Sequence, residues 1–138
     1  FWRKFYYSIA EVNHALKAAE EMGAPKEQEP YIAEAKMIRS FSHFMLVSLF
    51  AKFYDKDSDN SSPGVPYVTE PETVALAKYD RETVAKTYEK IEKDLIESID
   101  KMHETNYFFV TYGDITGSFV SYVYFVLLFY QTAKRTTH

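Results

Sequence analysis

Large apolar side chains recur at Trp2, Phe5, Tyr6, Ile9, Val12 and Leu16, the three-and-four spacing that marks one face of a helix. Gly23 then supplies a C-terminal stop. Pro25 and the polar residues up to Glu29 form a short loop, and Pro30 suits the first turn of a second helix, where its missing N–H costs nothing. In the stretch YIAEAKMIRSFSHFMLVSLF, residues 31–50, the period continues through Ile32, Ala35, Ile38, Phe41, Met45, Leu46 and Leu49, with Glu34, Lys36 and Arg39 between them. This pattern predicts an amphipathic helix that becomes buried almost all round, with Leu46 and Leu49 in the core. Its stretch without formal charge, residues 40–51, has only twelve residues, whereas a bilayer span needs about 20. A neighbouring helix, not lipid, is the expected cover.

Helical period then lapses. DKDSDNSSPG at residues 55–64 and the following VPYVTEPETVALAKY predict a long loop of about 25 residues with an extended piece, and connections of that length are often functional. Asp80 is the expected cap of a third helix. Its apolar face carries Val84, Tyr88, Ile91, Leu95, Ile99 and Met102, and its polar face pairs Glu89 with Lys93. For residues 119–130, rich in Val, Tyr and Phe, the length and a Ser118 cap favour a buried fourth helix over a strand. The fold class expected is all-α: two stacked helical hairpins, tetratricopeptide-like, with one long loop, in a single domain over residues 1–138.

Composition narrows the chemistry. With no cysteine among 138 residues, disulfides, thiolate metal sites and cysteine nucleophiles are excluded. A formal charge of -4 argues against a nucleic-acid partner, which calls for clustered Lys and Arg. Aromatics reach 17% while glycines number four, a balance suited to helices with bulky interfaces. The start at Phe1-Trp2-Arg3, without a methionine or leader, leads us to expect a fragment whose gene begins upstream.

Candidate catalytic chemistry is thin. Ser42 and His43 are adjacent, so on a helix they point in different directions, and no strand-turn-helix elbow surrounds the serine. The histidines at 14, 43, 103 and 138 never recur at helical metal-pair spacing. No enzyme activity, metal or cofactor is expected. Arg39, heading into a core, needs a carboxylate or several carbonyls and reads as a structural clamp. Asp55 to Asn60 offers oxygens at alternate positions, yet a calcium loop would have glycine at Asn60 and glutamate at Pro66. Asn60-Ser61-Ser62 is formally a glycosylation acceptor. Tyr54, Tyr67 and Tyr79 flank or populate the long loop; such rings either stack on a sugar or a partner's apolar patch, or pack the loop onto the helices.

Three blocks in order carry a resemblance: the helix Ala33 to Arg39 reading AEAKMIR, Val65-Pro66 after its loop, and Tyr88, Ile91, Asp94 and Leu95 in the next helix. Together with Trp2, Tyr6, Ile9 and Asn13 in the opening helix, they resemble the SusD/RagB family of outer-membrane nutrient-binding lipoproteins of Bacteroidetes, over about residues 1–103. The tail SFVSYVYFVLLFYQTAKR does not reproduce the alanine-rich helix with which the family continues. The resemblance implies a helical, tetratricopeptide-containing fold and a non-catalytic protein that captures oligosaccharides. It further implies a lipid anchor at the cell surface and a TonB-dependent transporter as partner. Tyr54, Tyr67 and Tyr79 are then the candidate glycan contacts. The competing expectation is a helical-repeat scaffold for a peptide. In either case an uncovered apolar segment at residues 119–130 would promote self-association.

Overall fold

A computed structural model describes residues 1–73 and 77–102. They form three helices, α1 (Trp2–Glu21), α2 (Glu29–Phe50) and α3 (Val84–Met102), with a 3-10 turn at Lys26–Gln28 leading into α2. The expected all-α class holds, and among the described residues the one pair in β-like register, Pro63 with Thr83, is an isolated bridge. Among the described residues no helix is long and apolar enough to cross a membrane. The expected fourth helix at 119–130, and self-association through it, lie outside the described residues.

The chain reverses after α1 because Gly23 takes φ +80°, a left-handed conformation that glycine adopts without a Cβ penalty. Its N–H donates to the Glu20 carbonyl at 2.9 Å and the Ala24 N–H to the Ala19 carbonyl at 2.8 Å, the paired bonds that close a helix C-terminus. The result is an antiparallel hairpin. Trp2 at the start of α1 meets Phe50 at the end of α2, with ring centroids 5.0 Å apart, and Phe5 faces Phe41 at 6.5 Å. α3 lies antiparallel on the other side of α2. Contacts step down α3 as they step up α2: Glu29 with Lys101, Lys36 with Glu97, Arg39 with Asp94 and Phe44 with Tyr88.

Being the middle helix changes which face of α2 is buried. Ala33, Ala35, Met37, Arg39, Ser40, Ser42, His43, Leu46 and Val47 are inside; Ala35 and Leu46 belong to the periodic stripe, and the small and polar side chains beside them are buried too, as a helix covered almost all round requires. Leu46 is fully buried as expected, but Leu49, in the last turn of α2, is 52% exposed. Ile9, Met37, Leu46, Val47, Val65, Val68, Ile91 and Leu95 make the core, each large side chain worth roughly 1.5–3 kcal/mol on burial.

The connection from α2 to α3, residues 51–83, contributes Val65 and Val68 to that core, so it is a packed strap. Its two ends are stitched together: the Gly64 N–H donates to the Glu82 carbonyl at 2.7 Å, and Arg81 Nε donates to the Gly64 carbonyl at 2.8 Å. The cap of α3 is Thr83, not Asp80; its Oγ1 accepts the Lys86 N–H at 3.2 Å. Strap carbonyls supply the remaining first-turn partners, Ser62 to the Val84 N–H and Asn60 to the Ala85 N–H, at 2.8 and 3.1 Å. These tertiary acceptors let α3 begin three residues later than its local sequence suggests. Glu89 pairs with Lys86 at 2.9 Å instead of Lys93, a surface contact of small energetic weight.

Candidate functional site

Two polar assemblies share the strap at residues 65–72, one facing inward and one outward. Inward, Arg39 from the middle of α2 grips Asp94 of α3 with both prongs, Nε to Oδ2 and Nη2 to Oδ1, each at 2.8 Å. Its Nη1 donates to Asn13 Oδ1 of α1 at 3.1 Å and to the Thr69 carbonyl at 3.3 Å. Asn13 Nδ2 in turn donates to the Val68 carbonyl at 3.0 Å, and the Tyr67 hydroxyl donates to Asp94 Oδ2 at 2.7 Å. One guanidinium therefore ties all three helices to the strap. Burial works against the charge on Arg39, but the hydrogen bonds and charge of Asp94 outweigh it and raise its pKa. Among the described residues no buried side-chain nitrogen or oxygen lacks a partner, the condition under which an interior ion pair is tolerated.

His43, one helical turn beyond Arg39, is fully buried. The Val68 N–H donates to its Nε2 at 3.0 Å, so the ring proton sits on Nδ1, which lies 2.8 Å from the Arg39 carbonyl and donates to it. Desolvation pulls its pKa down to about 4, with the hydrogen bond to Arg39 opposing and the Arg39 charge reinforcing. Tyr67 lies flat on this imidazole, centroids 3.8 Å apart and planes within 17°. A neutral histidine with both nitrogens engaged has neither a proton to exchange nor a nucleophile beside it. It holds the strap in place.

Outward, the strap and the first half of α1 enclose a cleft of about 450 Å³, within the range of small-ligand sites. Ile9, Ala10, Pro66 and Val68 give it an apolar floor; Trp2, Tyr6, Tyr7 and Tyr79 supply aromatic rings; Arg3, Glu70 and Glu72 are its charged members. The Tyr6 hydroxyl donates to the Pro66 carbonyl at 2.9 Å, joining the two sides. Burial raises the pKa of Tyr6, so it is a fixed neutral donor. Trp2 stands against Tyr6 with centroids 4.9 Å apart. At the other side the pKa of Tyr79 is raised, by desolvation first and by the neighbouring Glu72 carboxylate second.

The three tyrosines named from sequence do not come together. Tyr79 is 40% exposed and lines the cleft. Tyr67 belongs to the inward assembly, and Tyr54 packs its ring on Tyr88 at 5.1 Å. Sequence reasoning passed over Tyr7, and it assigned Trp2 only to a packing face. The available signal was that Trp2, Tyr6 and Tyr7 together span more of a helix than one packing stripe can cover. The oxygen-rich run at 55–60 folds on itself: Asn60 Oδ1 accepts the Asp55 N–H at 2.8 Å and its Nδ2 donates to the Asp55 and Ser58 carbonyls. Asn60 is thereby buried, with its amide occupied. Among the described residues no group of three or more His, Asp or Glu side chains converges as a metal site.

Residues 1–113 match the sequence model of a SusD-like family described as starch-binding, associating with the outer membrane. The chain belongs to this SusD-like family. No curated protein and no solved structure matches it. At family level the function is therefore starch or glycan binding at the outer membrane, a binding role and not a catalytic one. The matched span contains the Arg39–Asp94 clamp, the strap and every residue of the aromatic cleft.

Proposed function

We propose that this SusD-like chain captures an oligosaccharide in the cleft between α1 and the strap. It would act as the surface-exposed, lipid-anchored binding component that passes the glycan to a TonB-dependent transporter. One observation carries the reading: the family's glycan-binding role coincides with a concave site whose accessible rings, Trp2, Tyr7 and Tyr79, stand beside carboxylates. Sugar rings present C–H faces to aromatic faces and hydroxyls to carboxylates, so this pairing of surfaces suits them. Of the candidate contacts Tyr54, Tyr67 and Tyr79, we assign direct contact to Tyr79. Tyr67 shapes the strap from behind, and Tyr54 braces its entry against α3.

Trp2 is the single tryptophan, so its fluorescence reports on the cleft. Titration with maltooligosaccharides should change that emission and release heat, and Tyr79→Ala should weaken both about fivefold, since one stacking contact is worth on the order of 1 kcal/mol. Neither heat nor a fluorescence change with any glycan would remove the proposal.

A helical scaffold for protein partners is the second reading. Leu49, Phe50 and Phe53 stand exposed at the end of α2, and apolar side chains gathered in this way mark interaction surfaces. Co-purification of the transporter that depends on Phe53, with glycans causing no change at Trp2, would favour it.

A further inference from the structure

The charged side chains of the cleft are two carboxylates, Glu70 and Glu72, against one cation, Arg3. A site for acidic glycans would show the reverse balance, because a uronate or sulfate brought beside two carboxylates meets like charge without a compensating partner. Lys17 feels the charge of Glu70, but its ammonium is held by Glu20 at 3.0 Å. Glu72 lines the same side of the cleft as Tyr79, and both residues are exposed, so its carboxylate is open to a ligand. Aromatic faces beside these carboxylates add a second attraction for one class of ligand only. A ring quadrupole draws in a cation, and a carboxylate pairs with it.

Resting on the glycan reading above, we infer that the cleft between α1 and the strap prefers glycans bearing free ammonium groups, amino sugars, over neutral ones and discriminates against uronates. The ammonium sits between an aromatic face and the Glu70 and Glu72 carboxylates, while the sugar faces stack on Trp2 and Tyr79. Neutral glycans retain the stacking and lose the ion pairing. Acidic glycans lose both the pairing and the charge match.

The test uses the full chain and the emission of Trp2, at mildly acidic pH where the sugar amine is protonated. Cello-oligosaccharides and chitosan oligosaccharides of equal length share their linkage and differ in a hydroxyl against an ammonium; an oligouronate gives the opposite charge, and a maltooligosaccharide tests the underlying reading. The chitosan oligomer should bind about three- to tenfold more tightly than its neutral counterpart, as expected for partly exposed ion-pair and cation–π contacts. The oligouronate should bind most weakly. Added salt should shrink the spread, and in a Glu70→Gln, Glu72→Gln variant the chitosan and cello-oligosaccharide affinities should converge, whatever the common value. Both glutamates are exposed, so the substitutions leave the core intact, and the salt series on the unaltered chain stands as a second measurement. Equal affinities for all three charges, or a preference that survives in the double variant, overturns the inference and leaves glycan binding in place. Silence from Trp2 with every sugar, the maltooligosaccharide included, overturns both.

Discussion

The inward and outward sides of the strap are built from the same kinds of residue, tyrosines, carboxylates and one arginine, and they behave in opposite ways. Around Arg39 and Asp94 every donor has found an acceptor within the protein, and the side chains are 9% and 8% exposed. Around Trp2, Tyr7 and Tyr79 the rings keep accessible surface, and Arg3, Glu70 and Glu72 reach solvent. Satisfaction, not composition, separates a structural network from a binding surface. The two are nonetheless coupled in one direction. Pro66 and Val68 form the cleft floor, and Val68 is held from behind by His43 and Asn13, so the clamp sets the shape that the cleft offers.

The strongest way to break this arrangement is to remove one end of the ion pair. Asp94→Ala would strand the Arg39 guanidinium and the Tyr67 hydroxyl in the interior, at a cost of about 3–5 kcal/mol. Urea unfolding should show the midpoint fall accordingly, with loss of the Trp2 response to glycans at temperatures where α1 and α2 remain helical. An unchanged midpoint would mean that the helices hold without the clamp.

Acid should break the same side next. His43 is neutral in the fold, with a pKa near 4, against about 6.5 in the unfolded chain. Between those values the unfolded state binds more protons, so stability is complete above the higher one and is lost as pH falls toward the lower. The loss amounts to about 3 kcal/mol. Unfolding free energies measured from pH 7 down to 4 should follow this slope, and His43→Gln should flatten it. A slope that persists in that variant would trace to other groups.

These two residues also show what sequence could and could not reveal. Arg39 was legible as a clamp because a guanidinium entering an apolar helix face must be neutralised by something. Asp94 emerged only through the family pattern, since on its own it looks like one more charge beside Lys93 and Glu97. The place of His43 lies outside the apolar stripe read from periodicity: its ring is held by the Val68 N–H, contributed by a segment 25 residues away, whereas Ser40 bonds back to the Met37 carbonyl of its own helix. The same holds for the cleft. Trp2 and Tyr79 belong to one site only because the strap returns to α1, and nothing local to either residue records that return. The α3 cap was misplaced for a related reason, with acceptors arriving from Asn60 and Ser62.

A smaller effect tests the strap's anchor. A Cβ on Gly64 would stand 2.3 Å from Thr87 Oγ1 and 2.9 Å from the Thr83 carbonyl. Gly64→Ala must therefore push the strap away from α3, costing about 1–3 kcal/mol as overpacking does. Thermal unfolding would register the loss. Adding Thr87→Ala should recover part of it by clearing the closer contact, leaving the carbonyl clash in place. Full recovery would show that the backbone yields more easily than the hydrogen bonds on either side of Gly64 imply.

The smallest effect on stability should accompany the clearest effect on function. Tyr79 is partly exposed and lies at the outward side, so Tyr79→Ala should shift unfolding by no more than about 0.5 kcal/mol. It should nevertheless weaken glycan binding, because it takes away an aromatic face that lines the cleft. Tyr67→Phe offers the mirror case: the ring still stacks on His43, but the bond to Asp94 is lost, costing about 1–2 kcal/mol of stability with the cleft rings intact. If the two sides divide the labour, the first variant binds more weakly and folds normally, while the second folds less stably and binds as before. Equal binding losses in both would instead make the strap a single unit in which the inner hydrogen bonds tune the outer surface directly.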